Sequence, residues 1–171
     1  INGLRWRFIL ILLLIDGLIP FLYFVHLLST REISDWDTTK REQRLKLYWF
    51  TLVAHSIGVT LAFLLGKLVL AKILLLFLIL AAVFTLITFK WKISIHTGVS
   101  AAGVVFLGLL FGFHWLWLFF IVAIVAWARL ILKKHTFWQV IIGAGLAGGI
   151  IALGFYVLGI NSESAINSSR I

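Results

Sequence analysis

Three cations and one histidine lie close together in the segment Arg129-Leu-Ile-Leu-Lys-Lys-His135-Thr-Phe-Trp-Gln139, where one long apolar run ends and another begins. Arg129, Lys133 and Lys134 are suited to hold a phosphate group, because guanidinium and ammonium groups donate hydrogen bonds to its oxygens. His135 carries an imidazole that is able to do chemistry on that phosphate. A positively charged loop between two membrane helices explains the same residues without any chemistry. This segment alone leaves both interpretations open.

A second segment with chemically useful side chains reads Lys90-Trp-Lys92-Ile-Ser94-Ile-His96-Thr-Gly98. It places a hydroxyl, an imidazole and two ammonium groups directly before a predicted helix. The first turn of a helix has unpaired backbone N–H groups and the positive end of the helix dipole, and both suit an oxyanion. The segment therefore predicts an anion site at the start of that helix.

A third basic segment is Thr39-Lys40-Arg41-Glu42-Gln43-Arg44. Thr39 and Glu42 have the spacing of a capping box, so we expect a helix to begin there and to continue into the next apolar run. Arg41 and Arg44 are three residues apart and would share one helix face. Guanidinium groups on one face are well suited to phosphate oxygens.

The composition indicates a polytopic, all-α integral membrane protein. The 171 residues are 63% hydrophobic and the mean hydropathy is +1.13, whereas soluble domains are roughly 45–50% apolar. The net charge of +9 resides mainly in loops between apolar runs, so membrane lipids or a phosphate-bearing substrate are the expected partners and nucleic acid is not. The chain has no cysteine, which excludes disulfides, zinc–thiolate sites and a cysteine nucleophile.

Apolar runs of about 20 residues predict membrane-spanning helices. By this rule we expect a six-transmembrane-helix bundle that forms a single domain over residues 1–160, followed by a polar tail, 161–171. The predicted spans are Phe8–Leu28, Leu47–Leu65, Leu68–Phe89, Thr97–Phe113, Trp115–Leu132 and Trp138–Leu158.

The order of six spans places the first, third and fifth loops on one membrane face. These loops are Ser29–Lys46, Lys90–His96 and Lys133–Phe137, and the other two are little more than turns. Together with the helix end next to them, the three loops hold ten of the fifteen basic residues: Arg31, Lys40, Arg41, Arg44, Lys46, Lys90, Lys92, Arg129, Lys133 and Lys134. We interpret this cationic face as a functional site.

The first residues bear on location and orientation. Arg5 and Arg7 precede an apolar run that is too long for a signal peptide, so we expect a retained span, and the lack of any Met suggests that the sequence begins inside a longer reading frame. We expect the cytoplasmic membrane of a prokaryote. The two arginines favour a cytoplasmic N-terminus and a site on the outer face, whereas the cations of the three loops favour the opposite orientation.

A few polar residues within the spans have structural explanations. Asp16, followed by Gly17 and Pro20, interrupts the first span and predicts a polar contact or a kink. For His55 we expect a hydrogen bond between helices or an interfacial position. A small transporter would need polar residues gathered at mid-span, and these are scattered.

The three basic segments resemble the three-part signature of the type 2 phosphatidic-acid phosphatase superfamily, KxxxxxxRP, PSGH and SRxxxxxHxxxD. Arg129 and His135 match the third part at its spacing, and Ser94 and His96 match the Ser and His of the second. Arg44 matches the Arg of the first. The resemblance covers most of the chain, because the parts occur in the family's order within six predicted spans.

The resemblance implies a metal-independent lipid phosphatase, or phosphotransferase, that works without a cofactor through a phosphohistidine. In that mechanism His135 attacks phosphorus and His96 protonates the leaving oxygen. Arg44, Arg129 and Ser94 would hold the phosphoryl oxygens. Further phosphate contacts would come from Lys40, Arg41, Lys92, Lys133 and Lys134. Phosphatidate, phosphatidylglycerophosphate and polyprenyl phosphates would all fit this chemistry.

The chain departs from the family signature at four positions. Asp37 stands where the family has Lys, Leu45 where it has Pro, Ala128 where it has Ser, and Gln139 where it has Asp. Gln139 is able to orient His135 but supplies no negative charge, and Thr136 and Gln139 also have the spacing of a simple capping box. The alternative is therefore a weak or inactive phosphatase-fold protein that serves as a lipid-phosphate-binding or assembly subunit.

Overall fold

The computed structural model describes residues 10–11 and 13–160 of the chain. These residues form helices and connecting loops and contain no strand, so the all-α prediction is confirmed for them. The predicted start of the first span at Phe8, the arginines Arg5 and Arg7, and the tail 161–171 lie outside the described residues.

The helices follow the predicted apolar runs closely. A π-helical segment, Leu13–Leu18, leads into α1 (Ile19–Ser29), and a 3₁₀ segment, Phe113–Leu118, leads into α5. The other bounds are α2 (Arg41–Leu64), α3 (Leu68–Thr88), α4 (Ile95–Phe111), α5 (Phe119–Ile131) and α6 (Phe137–Val157).

Four of the described helical segments are long and apolar enough to cross a membrane. They are α2, α3, the segment Phe113–Ile131 and α6. The other two apolar segments, Leu13–Ser29 and α4, are shorter. The chain is therefore a membrane protein with four candidate spans, and the count of six spans stays a prediction.

The predicted capping box at Thr39 and Glu42 is wrong. The structure begins α2 at Arg41 with Lys40 as its N-cap, and no side chain of the described residues caps it. The Thr39 hydroxyl donates instead to Asp35 Oδ1 at 2.9 Å, and the Thr39 backbone N–H points to the same carboxylate. The backbone N–H of Thr39, which a capping box would direct to the Glu42 side chain, is directed to Asp35 instead.

The π-helical segment has a cause in the sequence. Pro20 lies four residues after Asp16 and has no N–H, so the Asp16 carbonyl lacks its normal α-helical donor. A π-helix takes its bond from the fifth residue along instead. The predicted interruption of the first span is thus a change of helix type from Leu13 to Leu18.

The described contacts divide the chain into two compact units, Ile1–Ala81 and Ala82–Ile171. In the second unit α4 packs mainly against α6, with Ala101, Val104 and Val122 in a small buried cluster. The prediction of a single domain over residues 1–160 remains open.

Glycines permit the close approach of α4 and α6. A Cβ added to Gly143 would lie 2.7 Å from the carbonyl oxygen of Ser94, and one added to Gly98 would lie 3.2 Å from the carbonyl oxygen of Gly143. Thr97 Oγ1, which is fully buried, lies 3.3 Å from the Val140 carbonyl oxygen across the same contact. The starts of the two helices are therefore held against each other by backbone proximity.

This close contact predicts that a methyl group added at position 143 destabilises the protein. Gly143→Ala is expected to lower the free energy of unfolding by about 1–3 kcal/mol, because the Ser94 backbone must move away. Gly145→Ala is the matched control on the same helix, because its added Cβ meets nothing within 4 Å among the described residues. Thermal unfolding of both variants in detergent measures the difference. Equal stability of the two variants would contradict the close contact.

Candidate functional site

His135 lies in the loop between α5 and α6, and its position depends on Arg129. The backbone N–H groups of Lys134 and His135 point to the Arg129 carbonyl oxygen at 3.1 and 3.4 Å. Lys133, just before them, has a positive φ of 52°, which closes the turn after α5. The His135 side chain is 7% exposed. The loop therefore ties His135 directly to the backbone of Arg129.

Gln139 Oε1 accepts hydrogen bonds from two neighbours. The Thr136 backbone N–H donates to this oxygen at 3.0 Å, and His135 Nδ1 lies 3.3 Å from it. Thr136 Oγ1 in turn accepts from the Gln139 backbone N–H at 3.4 Å, which completes a capping box at the start of α6. The predicted capping box is confirmed, and the same oxygen also contacts the imidazole.

This double contact fixes which nitrogen of His135 carries the proton. The atom facing the Thr136 N–H must be the amide oxygen, because a backbone N–H needs an acceptor. An oxygen facing Nδ1 then requires Nδ1 to be the donor. In the neutral ring Nε2 therefore carries the lone pair. That is the state a nucleophilic imidazole requires.

Ser94 joins α4 to this arrangement. Its backbone N–H donates to the Gln139 carbonyl oxygen at 3.1 Å, and it is the N-cap of α4. The side chain is fully buried, and its Oγ has no hydrogen-bond partner within residues 10–11 and 13–160. A buried hydroxyl without a partner loses about 1–3 kcal/mol relative to a satisfied one. It is thus a buried group able to donate to a ligand oxygen.

The structure brings together four of the predicted catalytic residues through hydrogen bonds. Backbone groups join Ser94 to Gln139 and His135 to Arg129, and side chains join Gln139 to His135. His96 follows Ser94 by two residues, in the first turn of α4, and its side chain is exposed. All five residues belong to the second unit.

The predicted lysine contacts of the second unit differ in exposure. Lys133 is exposed, whereas Lys92 and Lys134 are half-buried. Each follows or precedes one of the four linked residues by only a few positions. Their ammonium groups add positive charge around the loop, as the sequence predicts.

Arg44, in the first unit, is a buried cation with an unsatisfied end. Its side chain is 2% exposed, and its Nε donates to the Thr38 carbonyl oxygen at 2.6 Å. Nη1 is buried and has no acceptor in the part of the chain that the structure describes. The hydroxyl of Tyr48, one turn further along α2, also interacts with the Arg44 side chain. A buried guanidinium with an open donor is suited to an oxyanion.

The loop before Arg44 is built on Asp35. Its Oδ1 accepts from the backbone N–H groups of Asp37 and Thr39 at 3.0 and 3.2 Å, and its carbonyl oxygen accepts from the Thr38 N–H at 2.9 Å. Thr38 is forced to a φ of 45°, where a β-branched residue is strained by roughly 1–2 kcal/mol. The carbonyl oxygen that accepts from Arg44 Nε therefore belongs to a residue with a strained backbone conformation.

The remaining predicted contacts of the first unit lie at the start of α2. Lys40 is its exposed N-cap, and Arg41 is half-buried, with Nη2 lying 3.3 Å from Glu42 Oε1. Asp37, at the position of the family lysine, is half-buried in the Asp35 turn. Asp35 and Thr38 were not predicted as site residues, although Asp followed by polar residues is a typical turn signal. Thr97 and Gly143, which lie at the contact between α4 and α6, were also not predicted to support the site.

Comparison with known proteins gives no relative for this chain. It matches no protein-family model, and neither the curated proteins nor the solved structures provide a match. Among the described residues no three His, Asp or Glu side chains are grouped closely enough to hold a metal ion.

The strain at Thr38 predicts a stabilising substitution. Thr38→Gly keeps the carbonyl that holds Arg44 and removes the Cβ that opposes positive φ, so the free energy of unfolding should rise by about 1 kcal/mol. Thr39→Gly is the control, because it removes the hydroxyl bonded to Asp35 and should lower stability. Thermal unfolding in detergent gives both values, and a loss of stability in Thr38→Gly would contradict the strain.

Proposed function

We propose that this protein is a membrane lipid phosphatase that acts through a phosphohistidine at His135. The proposal unites the order and spacing of the three basic segments with the hydrogen bonds of the second unit. The substrate class is a lipid phosphomonoester or diphosphate, since apolar helices adjoin the cationic loops on the chain. The proposed architecture is a bundle of six spans in the cytoplasmic membrane of a prokaryote, with the site on the outer face.

The observation that carries the proposal is the Gln139 contact to His135 Nδ1. It leaves the lone pair of the neutral ring on Nε2, and the burial of the ring limits its freedom to rotate. A histidine in a merely solvated basic loop would need neither a fixed tautomer nor burial. Both properties favour a nucleophile.

In the proposed first step, the His135 Nε2 lone pair forms a bond to phosphorus, and the bond from phosphorus to the lipid oxygen breaks. His96, as imidazolium, gives its proton to that leaving oxygen. In the second step, neutral His96 takes a proton from water, the water oxygen bonds to phosphorus, and the bond to Nε2 breaks. Phosphate leaves and both imidazoles return to their starting states.

The charge on the phosphoryl oxygens needs fixed donors during both steps. Arg129 and Ser94 supply them in the proposal, and Lys92, Lys133 and Lys134 add charge around them. The buried, unpartnered Ser94 hydroxyl supports its role, because a phosphoryl oxygen would satisfy it. Arg44, with Lys40 and Arg41, enters through the match to the family signature, and its contribution stays a prediction from the sequence.

The first experiment measures phosphate release. Purified protein in detergent with EDTA is given phosphatidate, phosphatidylglycerophosphate and polyprenyl phosphate separately. We expect turnover of at least one lipid, and its loss in His135→Ala by about three orders of magnitude or more, because the nucleophile is gone. A folded protein that binds these lipids without turning any over would favour the binding or assembly subunit.

The second experiment uses the neutral side chain of Gln139. Gln139→Glu keeps the capping box, since Glu is a normal partner there, and adds a negative charge beside Nδ1. We expect a rate increase of about tenfold, because a nearby carboxylate stabilises the imidazolium form by at least one pKa unit. Gln139→Leu removes both contacts and should lower the rate. An unchanged rate in both variants would contradict the role of Gln139 in holding His135.

A further inference from the structure

The first unit contains a second pair of ionisable side chains, separate from the cationic loops. His55 Nδ1 of α2 lies 2.8 Å from Asp16 Oδ1 of the π-helical segment, and His55 Nε2 lies 2.9 Å from the Leu74 carbonyl oxygen of α3. The side chains of His55 and Asp16 are 15% and 19% exposed. One imidazole therefore joins three helical segments of this unit. A hydrogen bond between helices was one of the two alternatives predicted for His55 from the sequence.

The number of protons in the pair follows from the two contacts. A carbonyl oxygen only accepts, so Nε2 must carry a hydrogen. A 2.8 Å contact between Nδ1 and Oδ1 also needs a hydrogen between the two atoms, because facing lone pairs repel each other. That hydrogen belongs either to an imidazolium next to a carboxylate or to a carboxylic acid next to a neutral ring. In both forms the pair has no net charge.

The surroundings favour a neutral pair. Asp16 Oδ2 is buried and has no donor among the described residues. Gly58 makes room for this carboxyl group, because a Cβ there would lie 2.8 Å from Oδ2. An uncompensated charge among apolar membrane helices costs several kcal/mol. If the shared proton left, the pair would carry one negative charge with no cation bonded to it.

Other ionisable groups near the pair are few. The π-helical segment holds only Asp16, and α2 holds only His55 between Trp49 and Leu64. The helix α1, which packs against α2, holds Tyr23 and the exposed His26. On α3, Lys72 precedes Leu74 by two residues and its side chain is exposed. Within the described part of the first unit, the pair therefore depends on its own proton rather than on a third charged group.

We propose that Asp16 and His55 form a proton-binding site within the membrane-spanning part of the chain. The site holds one exchangeable proton between Oδ1 and Nδ1, and this proton closes the contact between the π-helical segment and α2. Asp16 lies in a π-helical segment. Such segments occur mostly as single turns and frequently at functional sites, which supports the proposal. The site is independent of the proposed phosphatase chemistry.

The test counts the protons on His55. The complete chain is labelled at histidine nitrogen, placed in lipid nanodiscs and studied by isotope-edited NMR, and His55→Gln identifies the His55 signals. We expect a protonated Nε2 and a hydrogen-bonded proton at Nδ1 in the unaltered protein. An unprotonated Nε2, or no proton between the ring and Asp16, would overturn the proposal.

Two substitutions at Asp16 separate the shared proton from simple packing. Asp16→Asn supplies an amide N–H to Nδ1, so the contact persists but the exchangeable proton is gone. Asp16→Leu removes the contact. In a base jump followed with a pH-indicator dye, the unaltered protein should release one more proton per chain than Asp16→Asn. Equal release would overturn the proposal, and so would an Nδ1 signal that Asp16→Leu leaves unchanged. Neither result depends on phosphatase activity.

Discussion

The close backbone contact between the start of α4 and the first two turns of α6 positions the linked site residues of the second unit. It requires a glycine at position 143, because any side chain there would meet the Ser94 carbonyl. Across it, Ser94 donates to the Gln139 backbone, and the Gln139 side chain reaches His135. The packing of α4 against α6 therefore fixes the positions of the Ser94 hydroxyl and the His135 imidazole.

Much of this arrangement could be predicted from the sequence, because hydropathy and short-range spacing determine it. The apolar runs locate the described helical segments within a few residues, and the polar residues before the second run locate the start of α2 at Arg41 to within about one residue. Thr136 and Gln139 are three residues apart, so their capping box is readable. The contact of Gly143 with Ser94 could not be predicted in this way, since it joins segments far apart in the chain and a glycine alone does not identify its contact partner.

The error at Thr39 has an instructive cause. Its spacing to Glu42 fits a capping box, in which the Glu42 carboxylate would accept from the Thr39 backbone N–H, but Asp35 accepts from that N–H and from the Thr39 hydroxyl. Local patterns compete, and here a carboxylate four residues upstream accepts from the N–H that the Glu42 side chain would bind in a capping box. The resulting turn holds Thr38 at positive φ and positions Arg44, which the sequence pattern alone does not predict.

The double role of Gln139 Oε1 links the imidazole to the lipid bilayer. Phe137 and Trp138, in the same helical turn, are 56% and 65% exposed, and aromatic side chains at a helix end anchor it at the membrane–water interface. A bilayer that is thicker or thinner than the helix pulls on such anchors. Gln139 Oε1 contacts both the Thr136 backbone N–H at the start of α6 and the His135 ring. A tilt of that turn would therefore also move the hydrogen-bond partner of the ring. A change of membrane thickness would therefore be expected to alter the position of the His135 ring together with the tilt of α6.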